Sequence, residues 1–217
     1  MKPPKPTKPV KRIRGRFIVL EGGEGAGKST QARNVALWLG EKGRDPVLTR
    51  EPGGSRLAEA IRELVLRPWR EGVDGTTELL LMFAARAAHL RATIRPALAA
   101  GRDVVCDRFI DATYAYQGAG RGLPTKQIDT LATMVIGDLT PDLIILLDVP
   151  PAIGSERVQN RGSGNRFDHE QLRFAEAVRE AYLRRAKKDP GRYAIIDAGG
   201  KRTDVTRAIE TVLEARL

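Results

Sequence analysis

The chain has 217 residues, enough for one well-buried domain with a small mobile insert and too few for two full domains. Hydrophobic residues at 41% and charged residues at 29% place it among soluble globular proteins, and no apolar run approaches the roughly 20 residues of a membrane span. The net charge of +10 is unevenly placed: residues 1–16 hold seven of the 37 basic side chains and no acidic one, leaving 30 against 27 in the body. That distribution argues against a basic nucleic-acid-binding body, and no specific nucleic acid is expected as a partner.

Residues 1–15 read as a disordered basic arm, with Pro3, Pro4, Pro6 and Pro9 and almost no apolar content before Val10. The proline density opposes the amphipathic helix of a mitochondrial presequence, and the apolar core of a signal peptide is missing. The single cysteine, Cys106, cannot form an internal disulfide and fits a reducing cytoplasm. Its place in the apolar run Val104-Val105-Cys106 makes it a packed structural thiol.

Residues 16–217 read as one domain. Phe17-Ile18-Val19-Leu20 is an apolar, β-branched run expected as a buried parallel strand. It leads into Gly22-Gly23-Glu24-Gly25-Ala26-Gly27-Lys28-Ser29, which has the spacing of a phosphate-cradling loop, and Ser29 to Leu39 follows as a helix. The glycines let backbone N–H groups turn inward around phosphate oxygens, and the helix N-terminus adds to the attraction. Lys28 reaches the β- and γ-phosphates and the Ser29 hydroxyl can bind Mg²⁺. A second strand, Pro46 to Thr49, ends in Arg50-Glu51-Pro52-Gly53-Gly54-Ser55, and Ser55 caps a helix to about Leu66. A long helix is expected from about Thr77 to Ala100, kinked near Pro96. A third strand, Asp103 to Asp107, ends in Asp107-Arg108. Helical segments follow at about 111–117 and 125–138, then a buried strand, Leu143 to Leu147, ending at Asp148. A helix from Pro151 to Arg161 leads to the loop Gly162–Asn165, and a further helix spans about His169 to Lys187. The strand Tyr193 to Asp197 and a helix from Thr203 close the chain.

Strands alternating with helices predict an α/β fold: a five-stranded parallel sheet between helix layers, of the P-loop nucleotide-hydrolase type. Ligands in such sheets bind beyond the C-terminal strand ends, so Glu21 and its loop, Arg50-Glu51 and Asp107-Arg108 should converge in one crevice. Arg157, Arg161 and Arg166 surround a glycine-hinged stretch, read as a flap over about 157–167 that closes on the transferring phosphoryl group.

Four stretches together resemble the bacterial-type thymidylate kinases: Glu-Gly-Gly-Glu-Gly-Ala-Gly-Lys-Ser-Thr from Glu21, Thr-Arg-Glu-Pro-Gly-Gly from Thr49, Asp-Arg-Phe from Asp107 and Ala-Tyr-Gln-Gly from Ala115. The resemblance covers about residues 16–215. It implies transfer of the γ-phosphoryl group of ATP, with Mg²⁺, to dTMP, giving dTDP and ADP in dTTP biosynthesis by a homodimer. It assigns Gly22, Gly23, Glu24, Gly25, Ala26, Gly27, Lys28, Ser29 and Thr30 to ATP, and Ser29 and Asp107 to the metal shell. Glu24 would contact the deoxyribose 3′-hydroxyl, and Arg50 and Arg108 would clamp the acceptor phosphate. Arg86, Thr113 and Gln117 would read the thymine edge. Gly25 stands where the eukaryotic type has arginine, and the flap arginines would supply that charge. The family's thymine-stacking phenylalanine falls at Met82 here, with Phe83 one position on, so either side chain is a candidate for the base. Alternatives are another P-loop nucleoside or nucleotide kinase, or a nucleic-acid-associated P-loop ATPase.

Overall fold

The computed structural model describes residues 14–160, 167 and 170–217. The arm up to residue 13, and Arg161 and Arg166 in the expected flap, lie outside the described residues.

Five parallel strands form the sheet: β1 (Phe17–Gly22), β2 (Val47–Arg50), β3 (Val104–Asp107), β4 (Leu143–Asp148) and β5 (Tyr193–Asp197), in the order β2-β3-β1-β4-β5. Alternation along β1 explains the two cores. Phe17 and Val19 face α4 (Arg95–Ala99), α5 (Ile110–Thr113) and α8 (Leu172–Lys188), where they pack with Leu98, Ala112 and Tyr182. Ile18 and Leu20 face α1 (Lys28–Glu41) and α9 (Arg202–Arg216), where they pack with Val35, Leu39 and Ile209. Both faces are covered, so the strands are continuous apolar runs rather than alternating ones.

Strand positions match the sequence reading to within about a residue or two, while several helices differ. Ser55 does cap α2 (Arg56–Leu66), accepting the Ala58 N–H at 3.3 Å. The expected helix from Thr77 to Ala100 is α3 (Gly75–His89), then a π-helical segment at Leu90–Ile94, then α4. The irregularity therefore precedes Pro96 rather than sitting on it. A proline ring crowds the carbonyl four residues back, here Ala92, and the widened turns, closed by Arg95 N–H to the Leu90 carbonyl, accommodate it. The segment read as 111–117 is α5 running into a second π-helix, Tyr114–Gly120. Further helices are α6 (Thr125–Val135) and α7 (Pro151–Asn160), and α8 starts at Leu172, later than the expected His169. No helix among the described residues is long and apolar enough to cross a membrane.

Candidate active site

Strand register builds the site. Leu20, Asp107 and Arg50 lie side by side on β1, β3 and β2, at the C-terminal end of the sheet where β1 enters the glycine loop. Two glycines in that loop are required by shape. Gly25 (φ 71°) lies where a Cβ would collide with the Gly154 carbonyl at the start of α7, and Gly27 (φ 85°) takes the left-handed conformation that opens α1. Ala26 is buried in the core, which anchors the loop, whereas Gly23, Glu24 and Thr30 are half-buried.

Lys28 folds back along the loop and donates to the Gly23 carbonyl at 2.6 Å. Burial first, then the Arg108 charge, pulls its pKa down to about 8. Ser29 Oγ donates to Asp107 Oδ2 at 2.5 Å, so the two oxygen donors expected to hold Mg²⁺ meet at one point, a donor set suited to a hard cation.

Arg108 is at the centre. It takes φ 73°, unusual for a residue with a side chain and worth about 1–3 kcal/mol of strain. That turn aims its guanidinium back over the loop, where it donates to the Gly22 carbonyl (2.9 Å), Tyr182 Oη (3.2 Å), Tyr116 Oη (2.8 Å) and Glu24 Oε1 (2.6 Å). Burial is the largest influence and opposes its charge, but Glu24, Tyr116, Tyr182 and Asp107 together outweigh it and hold its pKa well above the ordinary value. The partner is neither of the nearby carboxylates on its own strand end or on the β2 loop, Asp107 or Glu51. Below it, the buried Glu21 accepts from Phe109 N–H and from Tyr182 Oη, both at 2.8 Å. Burial, then the Asp111 charge, pushes Glu21 up to about 8 although Arg108 opposes the shift.

Arg50 reaches the crevice but is half exposed and pairs with Glu59 at 2.9 Å. Arg62 on α2 donates to the Pro52 carbonyl at 2.7 Å, and burial followed by the Arg50 charge depresses its pKa. Arg62 thus lies within electrostatic reach of Arg50, Asp107 and Arg108.

The residues expected to read a base form a second, buried knot. Arg86 donates to Glu51 (2.7 Å), Thr113 (3.0 Å) and the Phe109 carbonyl (3.0 Å). His89 lies between Glu51 (3.2 Å) and Thr49 (2.7 Å). Phe83 packs with Leu79 and Ile128, and the Arg86 guanidinium lies 5.1 Å from its ring centre. Met82 is buried too but is not part of that cluster. Gln117 donates to Glu78 at 2.6 Å. Its Oε1 is the sole buried side-chain polar atom among the described residues with no partner.

Arg157, expected in the flap, donates to the Ala198, Gly199 and Gly200 carbonyls at 2.7–3.2 Å. The turn after β5 leaves those carbonyls without strand partners, and a fork of N–H donors satisfies three at once. Cys106 behaves as expected: buried, its thiol donating to the Arg108 carbonyl at 3.0 Å and pushed well above its ordinary pKa by burial.

Sequence reasoning placed Glu21 and Glu51 at the crevice without giving either a role, and missed Arg62, Glu78 and the hydroxyls of Tyr116 and Tyr182. Tyr116 lies inside the quoted Ala-Tyr-Gln-Gly stretch, so that motif was its signal. Tyr182 reads as an ordinary apolar position of α8, and only the folded chain shows its hydroxyl between Glu21 and Arg108.

The family model for thymidylate kinase matches residues 20–209. The chain belongs to the thymidylate kinase family. It is 55% identical over 199 residues to the thymidylate kinase of Pseudomonas entomophila strain L48, covering 92% of this chain and 95% of that protein. The thymidylate kinase of Pseudomonas savastanoi pv. phaseolicola is 54% identical with the same coverage. The crystal structure of thymidylate kinase from Ehrlichia chaffeensis superposes with a TM-score of 0.74 at 35% identity, covering 92% of this chain and 99% of that one.

Proposed function

We propose that the enzyme transfers the γ-phosphoryl group of ATP to dTMP. The observation that carries this reading is the convergence, at the ends of β1, β2 and β3, of a phosphate loop with Arg50, Arg62 and Arg108 around Asp107. A hydrolase needs one anion cradle, whereas this crevice offers a loop for the donor and a separate arginine cluster for an anionic acceptor.

ATP fits the loop through inward N–H groups, the α1 N-terminus and Lys28. Ser29 and Asp107 fit Mg²⁺, which when bound neutralises phosphate charge. Arg108 aligns the acceptor phosphate, which takes over from the Glu24 carboxylate and frees Glu24 for the deoxyribose hydroxyl. Arg86, Thr113 and Gln117 read the base: the unpartnered Gln117 Oε1 is an acceptor whose desolvation, about 1–3 kcal/mol, is recovered only when a donor such as thymine N3–H reaches it. With Phe83 engaged by Arg86, Met82 is the side chain that packs on the thymine. Flap charge comes from Arg161 or Arg166, since Arg157 is committed to the turn after β5.

The working form is a homodimer. Leu57 and Leu64 on α2 and Leu80 on α3 are 63%, 43% and 54% exposed, apolar surface suited to a second copy. The single buried thiol suits a cytoplasmic setting. A coupled ADP-release assay with dTMP, dUMP, dCMP, AMP and GMP tests the reading: turnover should be greatest with dTMP, and equal turnover with a purine monophosphate would overturn it. Light scattering on the purified chain tests the dimer.

A further inference from the structure

Glu78, on α3, is fully buried. Its Oε1 accepts from Gln117 Nε2 at 2.6 Å, while Arg121 donates to the same oxygen at 3.4 Å and to Oε2 at 3.2 Å. Arg121 is held in turn by Glu170 at 2.5 Å and lies over Phe174, 4.7 Å from its ring centre. The carboxylate is therefore anchored, ion-paired and able only to accept. An amide facing it must present its NH₂ group. The Gln117 carbonyl oxygen is then forced to the other side, where it has no partner.

We propose that Glu78 is a specificity-determining positioning residue: by fixing the Gln117 amide in one orientation, it makes the pocket accept a pyrimidine with an N–H at ring position 3 and reject one with a lone pair there. The inference rests on the reading of Gln117 as a base contact. A free glutamine could flip and serve either ring, since its two ends are nearly equal in shape. Held by Glu78, it presents only an acceptor, which meets thymine or uracil favourably and opposes the cytosine lone pair.

The test compares kcat/KM for dTMP and dCMP in the wild type, in Glu78→Gln and in the swapped pair Glu78→Gln with Gln117→Glu. A glutamine at 78 can donate or accept, so Glu78→Gln should lower the dTMP-to-dCMP ratio about 10- to 100-fold with the KM for ATP unchanged. The swapped pair puts the donor on residue 78 and an acceptor-only group at 117, and should regain most of the preference. Equal proportional losses for both nucleotides in Glu78→Gln would mean a merely structural role and overturn the proposal, as would a folded swapped pair that stays unselective. If neither variant folds, hydrogen exchange of the Gln117 side-chain amide in the wild type decides. Slow exchange with and without dTMP keeps the NH₂ group on Glu78 as required; release of that group on dTMP binding overturns the assignment. Binding of N3-methyl-dTMP to the wild type separates the two layers: affinity equal to that of dTMP removes Gln117 from base reading altogether, whatever Glu78 does.

Discussion

Arg108 holds Glu24 at 2.6 Å, so the guanidinium expected to clamp an acceptor phosphate already carries a carboxylate in its place. The pair spans 84 positions of sequence and closes only because Arg108 takes a left-handed backbone conformation. Arg108→Lys keeps the charge but loses the fork that reaches Glu24, Tyr116, Tyr182 and the Gly22 carbonyl together. The expected loss in kcat/KM for dTMP is about 30- to 1000-fold, about 2–4 kcal/mol, with ATP affinity much less affected. Calorimetry with each ligand checks this; an equal loss for both would reduce Arg108 to a support for the loop.

Lys28→Ala should lower kcat at least about a thousandfold, about 4 kcal/mol of barrier, while leaving the fold intact. In the folded chain Lys28 Nζ makes one loop contact, to the Gly23 carbonyl, so stability has little to lose. Single-turnover kinetics together with a thermal melt test this, and a variant with wild-type kcat would falsify the role.

Glu21 predicts a pH dependence of stability. A carboxyl whose pKa rises from 4.5 unfolded to about 8 folded binds its proton more tightly in the native state. Its contribution is complete below pH 4.5 and is lost as pH rises through about 8. Glu21→Gln mimics the protonated form, so its unfolding free energy from urea titration should fall less than that of the wild type between pH 5 and 8, by on the order of 1–3 kcal/mol. Parallel pH profiles for the two proteins would show that Glu21 does not titrate in this window.

Removing residues 1–12 should change dTMP turnover less than about threefold, under about 1 kcal/mol. The cut stops short of Arg14, which pairs with Asp142 at 2.8 Å on the surface, and of Gly15, whose N–H is bonded to the Leu98 carbonyl. A large loss in the folded, truncated chain would place the arm in the reaction.

The sequence by itself determined the strands, the P-loop and the family, because each rests on local information. Continuous apolar runs mark strands buried on both faces, and the loop spacing encodes its own backbone path between a strand and a helix. The meeting of Ser29 with Asp107, and of Arg50 with its neighbours, followed from parallel order and strand-end chemistry. Only the tertiary structure decided how polar groups pair. Arg157 matched a flap pattern but went to the carbonyls after β5, Glu51 took Arg86 rather than Arg108, and Glu78 captured one end of Gln117. Such choices depend on which carbonyls and carboxylates are left unsatisfied by distant elements, and buried polar groups must find partners wherever the packed chain supplies them. The π-helices show the same limit, since a period of 3.6 residues misplaces every side chain beyond a widened turn, including Tyr116 and Gln117.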